Sequence, residues 1–137
     1  MVSLLGALGS SLFFSNGTHV CELDMERFAE EQEQCRLIAN GSSVFAIDVS
    51  MNDLLLAEFD SGMVFLESTV DVNDPETVAE GVKTYGILYD GQFGNLFLTD
   101  TEKNRVSVAE VLTGKTSVLA YDDVEEPRGI ALHKRLG

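Results

Sequence analysis

A repeat of 42 residues limits what this chain can fold into more than any other feature of its sequence. Three segments of similar character begin at Leu12, Leu54 and Leu96, so their starting points lie 42 residues apart. Four short apolar runs follow one another within each repeat, and turn-forming pairs such as Asn-Gly and Gly-Asn separate them. The period therefore predicts one small structural unit of four extended segments, used three times in succession.

The apolar pattern within a repeat is typical of strands and not of helices. A helical solenoid would place apolar residues at a spacing of 3.6 over about a dozen positions. Only the stretch from Glu22 to Arg36 resembles a helix, and it consists mostly of charged residues without a continuous apolar stripe. Because four strands in about 40 to 45 residues is the size of one propeller blade, the sequence predicts an all-β chain with a partial β-propeller fold.

Two segments of the last repeat, residues 97–100 and 127–129, carry a resemblance to a known family, the low-density lipoprotein receptor class B repeats. The residues that stand where that family has its Tyr-Trp-Thr-Asp tetrapeptide are Phe97, Leu98, Thr99 and Asp100. The residues that match the stretch leading into the next blade are Pro127, Arg128 and Gly129, followed by an Ile-Ala pair. The resemblance implies a non-enzymatic binding scaffold, in which Thr99, Asp100 and Arg128 stabilise contacts between blades.

The resemblance weakens in the two earlier repeats. The first repeat has Phe-Phe-Ser-Asn at residues 13–16 and keeps residue type more than identity. The second has Leu-Leu-Ala-Glu at residues 55–58, without the aromatics or the hydroxyl, so the period alone carries it. Other six-bladed families, including NHL-repeat and lactonase-like propellers, share the Pro-x-Gly-Ile-Ala stretch and stay open as alternatives.

The repeat also predicts the organisation of the chain. We expect about three four-stranded antiparallel blades over residues 2–40, 41–82 and 83–122, and the first strand of a further blade over residues 127–133. Val2 to Ala7 is expected to be the first inner strand, because Leu5 lies 42 residues before Ile47; a signal peptide is the alternative. Three blades are half of a six-bladed ring, so we expect a longer parent polypeptide or a homodimer that closes the ring.

Charge limits the classes of partner. The formal net charge is −14, from 23 acidic and 9 basic residues, which disfavours nucleic acid and anionic lipid. No apolar run approaches the roughly 18 residues that a membrane helix needs, so direct membrane insertion is not expected. The predicted partner is a protein ligand or a neighbouring domain, favoured when basic. The predicted ligand face is the acidic loop formed by Asp122, Asp123, Glu125 and Glu126; a solvated turn is its alternative reading.

Two cysteines and two sequons bear on the cellular setting. Cys21 and Cys35 are expected on neighbouring antiparallel strands, where they form either a disulfide or two buried thiols. Asn16 and Asn40 begin Asn-Gly-Thr and Asn-Gly-Ser sequons, although Asn-Gly is also what a tight turn requires. With the family resemblance, these features favour an extracellular protein or ectodomain.

No catalytic or metal-ligating pattern is present at useful spacing. The chain has neither a nucleophile elbow nor a glycine-rich phosphate loop, and no cofactor is predicted. Asp48 and Asp90 occupy equivalent repeat positions that could suggest a lactonase-like calcium site, but the third equivalent is His133, so we interpret them as turn caps. The leading hypothesis is a protein-binding scaffold, and the alternatives are a calcium-dependent hydrolase and an intracellular interaction propeller.

Overall fold

A computed structural model describes residues 11–25, 34–37, 43–69 and 75–135, with only the backbone described at 34–37. Within these residues, eleven strands form three antiparallel sheets, and the described part contains no helix. Each sheet is a meander in which neighbours in sequence are neighbours in space. The prediction of an all-β chain is confirmed.

The three sheets correspond to the three sequence repeats. The first contains β1 (Ser11–Ser15), β2 (His19–Asp24) and β3 (Gln34–Leu37). The second contains β4 (Val44–Ser50), β5 (Asp53–Glu58), β6 (Met63–Ser68) and β7 (Glu76–Ala79). The third contains β8 (Gly86–Asp90), β9 (Asn95–Asp100), β10 (Arg105–Glu110) and β11 (Thr116–Ala120). The strand predicted at residues 2–7 lies outside the described residues.

The middle sheet is buried on both of its faces, which explains an unbroken apolar run in β5. Leu54, Leu55 and Leu56 are all at most 2% exposed, although successive side chains of a strand point in opposite directions. Leu55 belongs to a core cluster shared with the third sheet, through Leu96 and Leu98. Leu54 and Leu56 belong to a second cluster, which reaches Val20 of the first sheet. Successive side chains of β5 therefore do alternate between the two faces of the sheet, but each face packs in a hydrophobic core.

Serine and threonine hydroxyls connect one sheet to the next at equivalent repeat positions. The Ser15 hydroxyl donates to the Val44 carbonyl at 2.7 Å, and the Thr99 hydroxyl donates to the Arg128 carbonyl at 2.6 Å. Ala57 stands between them in the repeat and has no hydroxyl. There the corresponding carbonyl, that of Gly86, accepts a 2.8 Å hydrogen bond from Thr84. The Thr84 hydroxyl, which holds a different repeat position, thus donates to the carbonyl that Ala57 cannot bind.

Carboxylates connect the sheets at the opposite end. Asp48 at the end of β4 accepts a hydrogen bond from the Tyr89 backbone N–H of β8 at 2.6 Å. Asp90, its repeat equivalent, accepts one from the Lys134 ammonium at 2.9 Å. That hydrogen bond is the main reason the pKa of Asp90 lies below its usual value. Asp90 also accepts from the Gln92 N–H, so it caps its own turn as well as binding the following segment.

Residues 127–133 lie beside β8 but form no regular strand. Side chains hold this segment instead of a backbone ladder: Thr99 binds the Arg128 carbonyl, and Thr101 donates to the Pro127 carbonyl at 2.7 Å. The contact with β8 is close, because a Cβ on Gly86 would collide with the Arg128 carbonyl. The segment therefore occupies the place that the repeat assigns to the next inner strand, without strand pairing of its own.

Candidate functional site

Three aromatic rings form a cluster at one end of the second and third sheets. We call this end, at which β4 and β8 begin and β1, β5 and β9 finish, the upper face; the opposite end is the lower face. Phe45 and Tyr85 stack with ring centres 5.5 Å apart and planes 19° apart. Phe59 contacts both of them, at 5.7 Å from Phe45 and 4.7 Å from Tyr85. We call these three residues the aromatic platform.

Local structure explains why the platform is open to solvent. β4 has a bulge between Val44 and Ala46, whose side chains pack in different core clusters; Phe45 stands at this bulge and is 49% exposed. Phe59 directly follows β5 and is fixed by its N–H, which donates to the Ser43 carbonyl at 2.9 Å. Tyr85 directly precedes β8. The platform is thus built by chain segments that meet where successive sheets begin and end.

Basic side chains cover the other faces of these rings. The Arg128 guanidinium lies 4.6 Å from the centre of the Tyr85 ring, and the Lys83 ammonium lies 5.6 Å from that of Phe59. Both distances are in the range of cation–π attraction. Lys83 also donates to the Asp60 carbonyl at 2.5 Å, and Lys103 donates to the Gly81 carbonyl at 3.0 Å. Three cationic side chains, those of Lys83, Lys103 and Arg128, therefore lie at or beside residues 81–85.

None of these three cations has a carboxylate partner within salt-bridge distance in the part of the chain that the structure describes; the ion pair found there joins Lys134 and Asp90. The absence matters because the chain carries 23 acidic residues and only 9 basic ones. In such a chain a cation meets carboxylates easily. Three basic groups bound only to ring faces and backbone carbonyls therefore leave donor capacity directed at solvent.

The predicted acidic loop also lies at the upper face. Asp122, Asp123, Glu125 and Glu126 are all exposed. The Glu126 N–H donates to the Asn104 side chain at 2.9 Å, which holds the loop against the turn that follows β9. Asp123 and Glu126 have left-handed backbone conformations, with φ of 56° and 40°. The loop thus borders the basic group without forming ion pairs with it.

The residues that carry the family resemblance take structural places. Leu98, Thr99 and Asp100 are at most 2% exposed, while Phe97 is partly buried. Asp100 accepts a hydrogen bond from the Lys103 N–H at 2.9 Å, which closes the turn carrying that lysine. Arg128 alone among the motif residues contacts the aromatic platform.

The sequon at Asn16 lies at the same upper face. Asn16 is exposed, and its side-chain oxygen accepts hydrogen bonds from the backbone N–H groups of Thr18 and His19, at 3.1 and 2.9 Å. A cleft of about 420 Å³ extends from this turn to Phe45. Asn40 lies outside the described residues. A glycan on Asn16 would therefore stand beside the aromatic platform.

Cys21 and Cys35 occupy directly opposed positions of β2 and β3. Opposed residues of antiparallel strands have Cα atoms about 4.5 to 5.5 Å apart, which is within the range that a disulfide spans. Cys21 is buried, and no described cysteine is a free thiol. The side chain of Cys35 lies outside the described part.

Neither a metal cluster nor a membrane-spanning helix occurs among the described residues. No group of three or more histidine, cysteine, aspartate or glutamate side chains is placed there to hold an ion. No helix in that part is long and apolar enough to cross a membrane. Asp48 and Asp90, the residues that suggested a calcium site, both bind neighbouring segments of the chain.

The fold has counterparts among solved structures. The chain superimposes on one chain of a structure described as the crystal structure of a nidogen/laminin complex, with a TM-score of 0.66 over 87% of its length. The chain is part of a β-propeller. It spans 50% of that solved chain, and 15% of the aligned residues are identical. No family model matches the sequence, and no curated protein matches it.

In this propeller the three sheets are successive blades, and the aromatic platform lies between the second and third. The 42-residue repeat does not predict the platform, because the three rings hold different positions in the repeat. The residue 42 positions after Phe59 is Thr101, and the one 42 positions after Phe45 is Ile87. Comparison of repeats therefore reveals what all blades share and misses a surface that a single blade junction creates.

Proposed function

We propose that this chain is a non-enzymatic, protein-binding segment of a β-propeller, belonging to an extracellular protein of the lipoprotein receptor kind. The observation that carries the proposal is the aromatic platform with its three basic side chains, open to solvent at the upper face. Aromatic residues and arginine are the types most enriched at the energetically dominant positions of protein interfaces. The similar solved chain comes from a complex named for two proteins, nidogen and laminin, which supports the same class of function.

The geometry of the platform suits a protein ligand better than a small molecule. The rings form a stacked layer whose outer member, Phe45, exposes about half of its surface. An apolar side chain of a partner can cover that ring, while Lys83, Lys103 and Arg128 meet polar groups at the rim. Burial of aromatic surface with a polar border is the usual arrangement of a protein interface.

A comparison of matched variants tests this proposal. The chain is immobilised, exposed to conditioned medium or matrix extract, and the retained proteins are quantified by mass spectrometry. Replacing Phe45 by Ser together with Arg128 by Glu should lower retention of a defined set of proteins by roughly tenfold or more, since each such residue is worth about 1–2 kcal/mol at an interface. Lys115→Ser, which changes an exposed residue of the turn between β10 and β11, is the control.

Identical protein sets retained by the double variant and by the wild-type chain would contradict the proposal. The double variant must first show a thermal transition like that of the wild type. Arg128 is exposed and contacts the platform through its side chain alone, while its carbonyl, which binds Thr99, is unchanged by the substitution. The Arg128→Glu substitution therefore keeps the hydrogen bond from the Thr99 hydroxyl to the backbone carbonyl of position 128.

The extracellular setting rests on the two cysteines and on the resemblance, and it makes a separate prediction. We expect a disulfide between Cys21 and Cys35, because antiparallel pairing places them opposite each other and oxidising compartments retain such bonds. Intact-mass measurement after alkylation should show no added alkyl group in the unreduced protein and two after reduction. Two alkyl groups added without reduction would favour the intracellular interaction propeller instead.

The proposal includes self-association as one kind of protein contact. The outer strand β11 is exposed along its whole length, and Val118 and Leu119 are 45% and 55% exposed. This flank of the third blade is the surface that a further blade would cover in a closed ring. A homodimer that pairs such flanks is the form of self-association that we propose.

A further inference from the structure

The lower face carries two clefts at equivalent places of the repeat. The smaller, of about 310 Å³, lies between the first and second blades; the larger, of about 420 Å³, lies between the second and third. Five of the seven residues that line the smaller cleft have their counterpart, 42 positions later, in the lining of the larger one. The smaller cleft has Ser11, Val49, Met51, Asn52 and Thr69 where the larger has Asp53, Gly91, Phe93, Gly94 and Val111. The repeat therefore builds the same recess twice along one face.

Each cleft has an apolar side chain at its edge that is open to solvent. Met51 is 87% exposed at the smaller cleft, and Phe93 and Leu112 are 69% and 97% exposed at the larger one. Single exposed apolar residues are common, but equivalent ones on one face mark an interaction surface. Met51 also has a φ of 55°, a left-handed conformation that its hairpin turn would ordinarily give to Gly or Asn. An exposed methionine at this turn therefore does not stabilise the fold more than Gly or Asn would.

The walls of the clefts are acidic. Asp53 and Glu76 line the larger cleft, and Glu22 lines the smaller. None of the three has a salt-bridge partner among the residues that the structure describes. The pKa of Tyr89, which also lines the larger cleft, is raised first by burial and then by the negative charges of Asp53 and Asp90. Asp53 and Glu76 thus give the larger cleft negative charge that no described cation pairs with.

We propose that these two clefts bind an extended segment of a partner protein in which lysine or arginine alternates with apolar side chains. Apolar side chains enter the recesses against Met51, Phe93 and Leu112, and the cationic groups meet Asp53 and Glu76. The homodimer proposed above pairs the flank of the third blade and leaves these clefts free. Their acidic walls favour a basic partner over a second copy, which has only 9 basic residues against 23 acidic ones. The site lies on the face opposite the aromatic platform, so it is independent of the function proposed above.

The test uses short synthetic peptides and the intact chain. One peptide alternates lysine with leucine and phenylalanine; a second has glutamate for lysine; a third has serine for the apolar residues. Affinity is measured by fluorescence anisotropy at physiological ionic strength, where long-range attraction is screened. We expect the first peptide to bind at least roughly tenfold more tightly than either of the others, because binding needs both the apolar group and the cation. Equal affinity for the first and third peptides would overturn the proposal.

Matched charge variants locate the site. The pair Asp53→Asn and Glu76→Gln removes two charges from the lower face, and the pair Glu80→Gln and Glu102→Gln removes two exposed charges from the upper face. The first pair should weaken the lysine–leucine peptide by roughly fivefold to thirtyfold and the second by less than about twofold. Equal losses in both pairs would show that net charge alone attracts the peptide, and the proposed site would be wrong.

An apolar variant completes the test. Phe93→Ser with Leu112→Ser should weaken the lysine–leucine peptide by roughly tenfold while leaving the serine-containing peptide unchanged. Both side chains are exposed, so the folded state is not at risk. The upper-face variant with Phe45→Ser and Arg128→Glu should bind the peptide like wild type, which separates failure of this proposal from failure of the protein-binding proposal. Unchanged affinity in the Phe93 and Leu112 variant would overturn the lower-face site.

Discussion

Replacing Gly86 by alanine is expected to lower the free energy of unfolding by about 2–4 kcal/mol, a large effect for the addition of one methyl group. Gly86 begins β8, and residues 127–129 lie directly against it. A Cβ at this position would collide with the Arg128 carbonyl oxygen and would stand 3.2 Å from the Thr99 hydroxyl oxygen. Both obstacles are held in place, because the Thr99 hydroxyl is bonded to that same carbonyl at 2.6 Å. The alanine methyl can be accommodated only if residues 127–129 move away from β8.

Gly129→Ala is the matched control for this substitution. A Cβ on Gly129 has no atom within 4 Å, and its backbone is not left-handed, so the change should stay within about 0.5 kcal/mol of wild type. Chemical denaturation of both variants measures the difference. If alanine at 86 displaces the segment, Thr99→Val should cost less in that background than in wild type, since the hydrogen bond is already broken. Equal stabilities of the two alanine variants would show that the segment does not press on β8.

The sequence locates the second strands of the middle and last blades well, because those strands are largely buried. β5 and β9 each begin one residue before the segments at Leu54 and Leu96 that mark the repeat. Burial on both faces forces apolar residues into these positions, and the 42-residue period then shows where the next copy must be. Where burial in the core requires apolar residues, the apolar pattern of the sequence is enough to locate the strand.

The outer strands are less predictable for the opposite reason. β11 covers Thr116–Ala120, although its apolar residues begin only at Val118; β7 covers Glu76–Ala79, although its apolar residues begin only at Val78. All five residues of β11 are exposed, so no core determines their register. A bulge between Val106 and Ser107 also shifts the pairing of β10 with β11. Neither the solvent exposure of β11 nor the bulge in β10 produces an apolar pattern in the sequence.

Sites are harder to predict than strands, because they depend on what meets across a blade junction. The stack of Arg128 on Tyr85 joins residues that are 43 positions apart and belong to successive repeats. The lower clefts leave a better trace, since Met51 and Phe93 hold the same repeat position and both are apolar in a turn. An apolar residue recurring where turns normally have polar ones is thus a signal that sequence comparison of repeats can use.

Leu55→Ala and Leu56→Ala are each expected to lower the free energy of unfolding by about 2–5 kcal/mol, because both side chains are fully buried and alanine leaves a cavity. The two residues are neighbours in β5 but belong to different cores. Leu55 packs in the cluster shared with the third blade, and Leu56 packs in the cluster that reaches the first. Leu112→Ala, at a position 97% exposed, should change stability by less than about 0.5 kcal/mol and is the control.

The location of the damage separates the two substitutions more sharply than its size. Hydrogen exchange read by mass spectrometry should show faster exchange in β8 and β9 for Leu55→Ala, and in β1 and β2 for Leu56→Ala, since each cavity loosens the blade that faces it. The two effects on stability should also add in the double variant to within about 0.5 kcal/mol if the cores are independent. Faster exchange in the same blade for both variants would contradict the alternating assignment of β5. It would mean that the middle blade is not packed between its two neighbours, which is the contact on which a propeller depends.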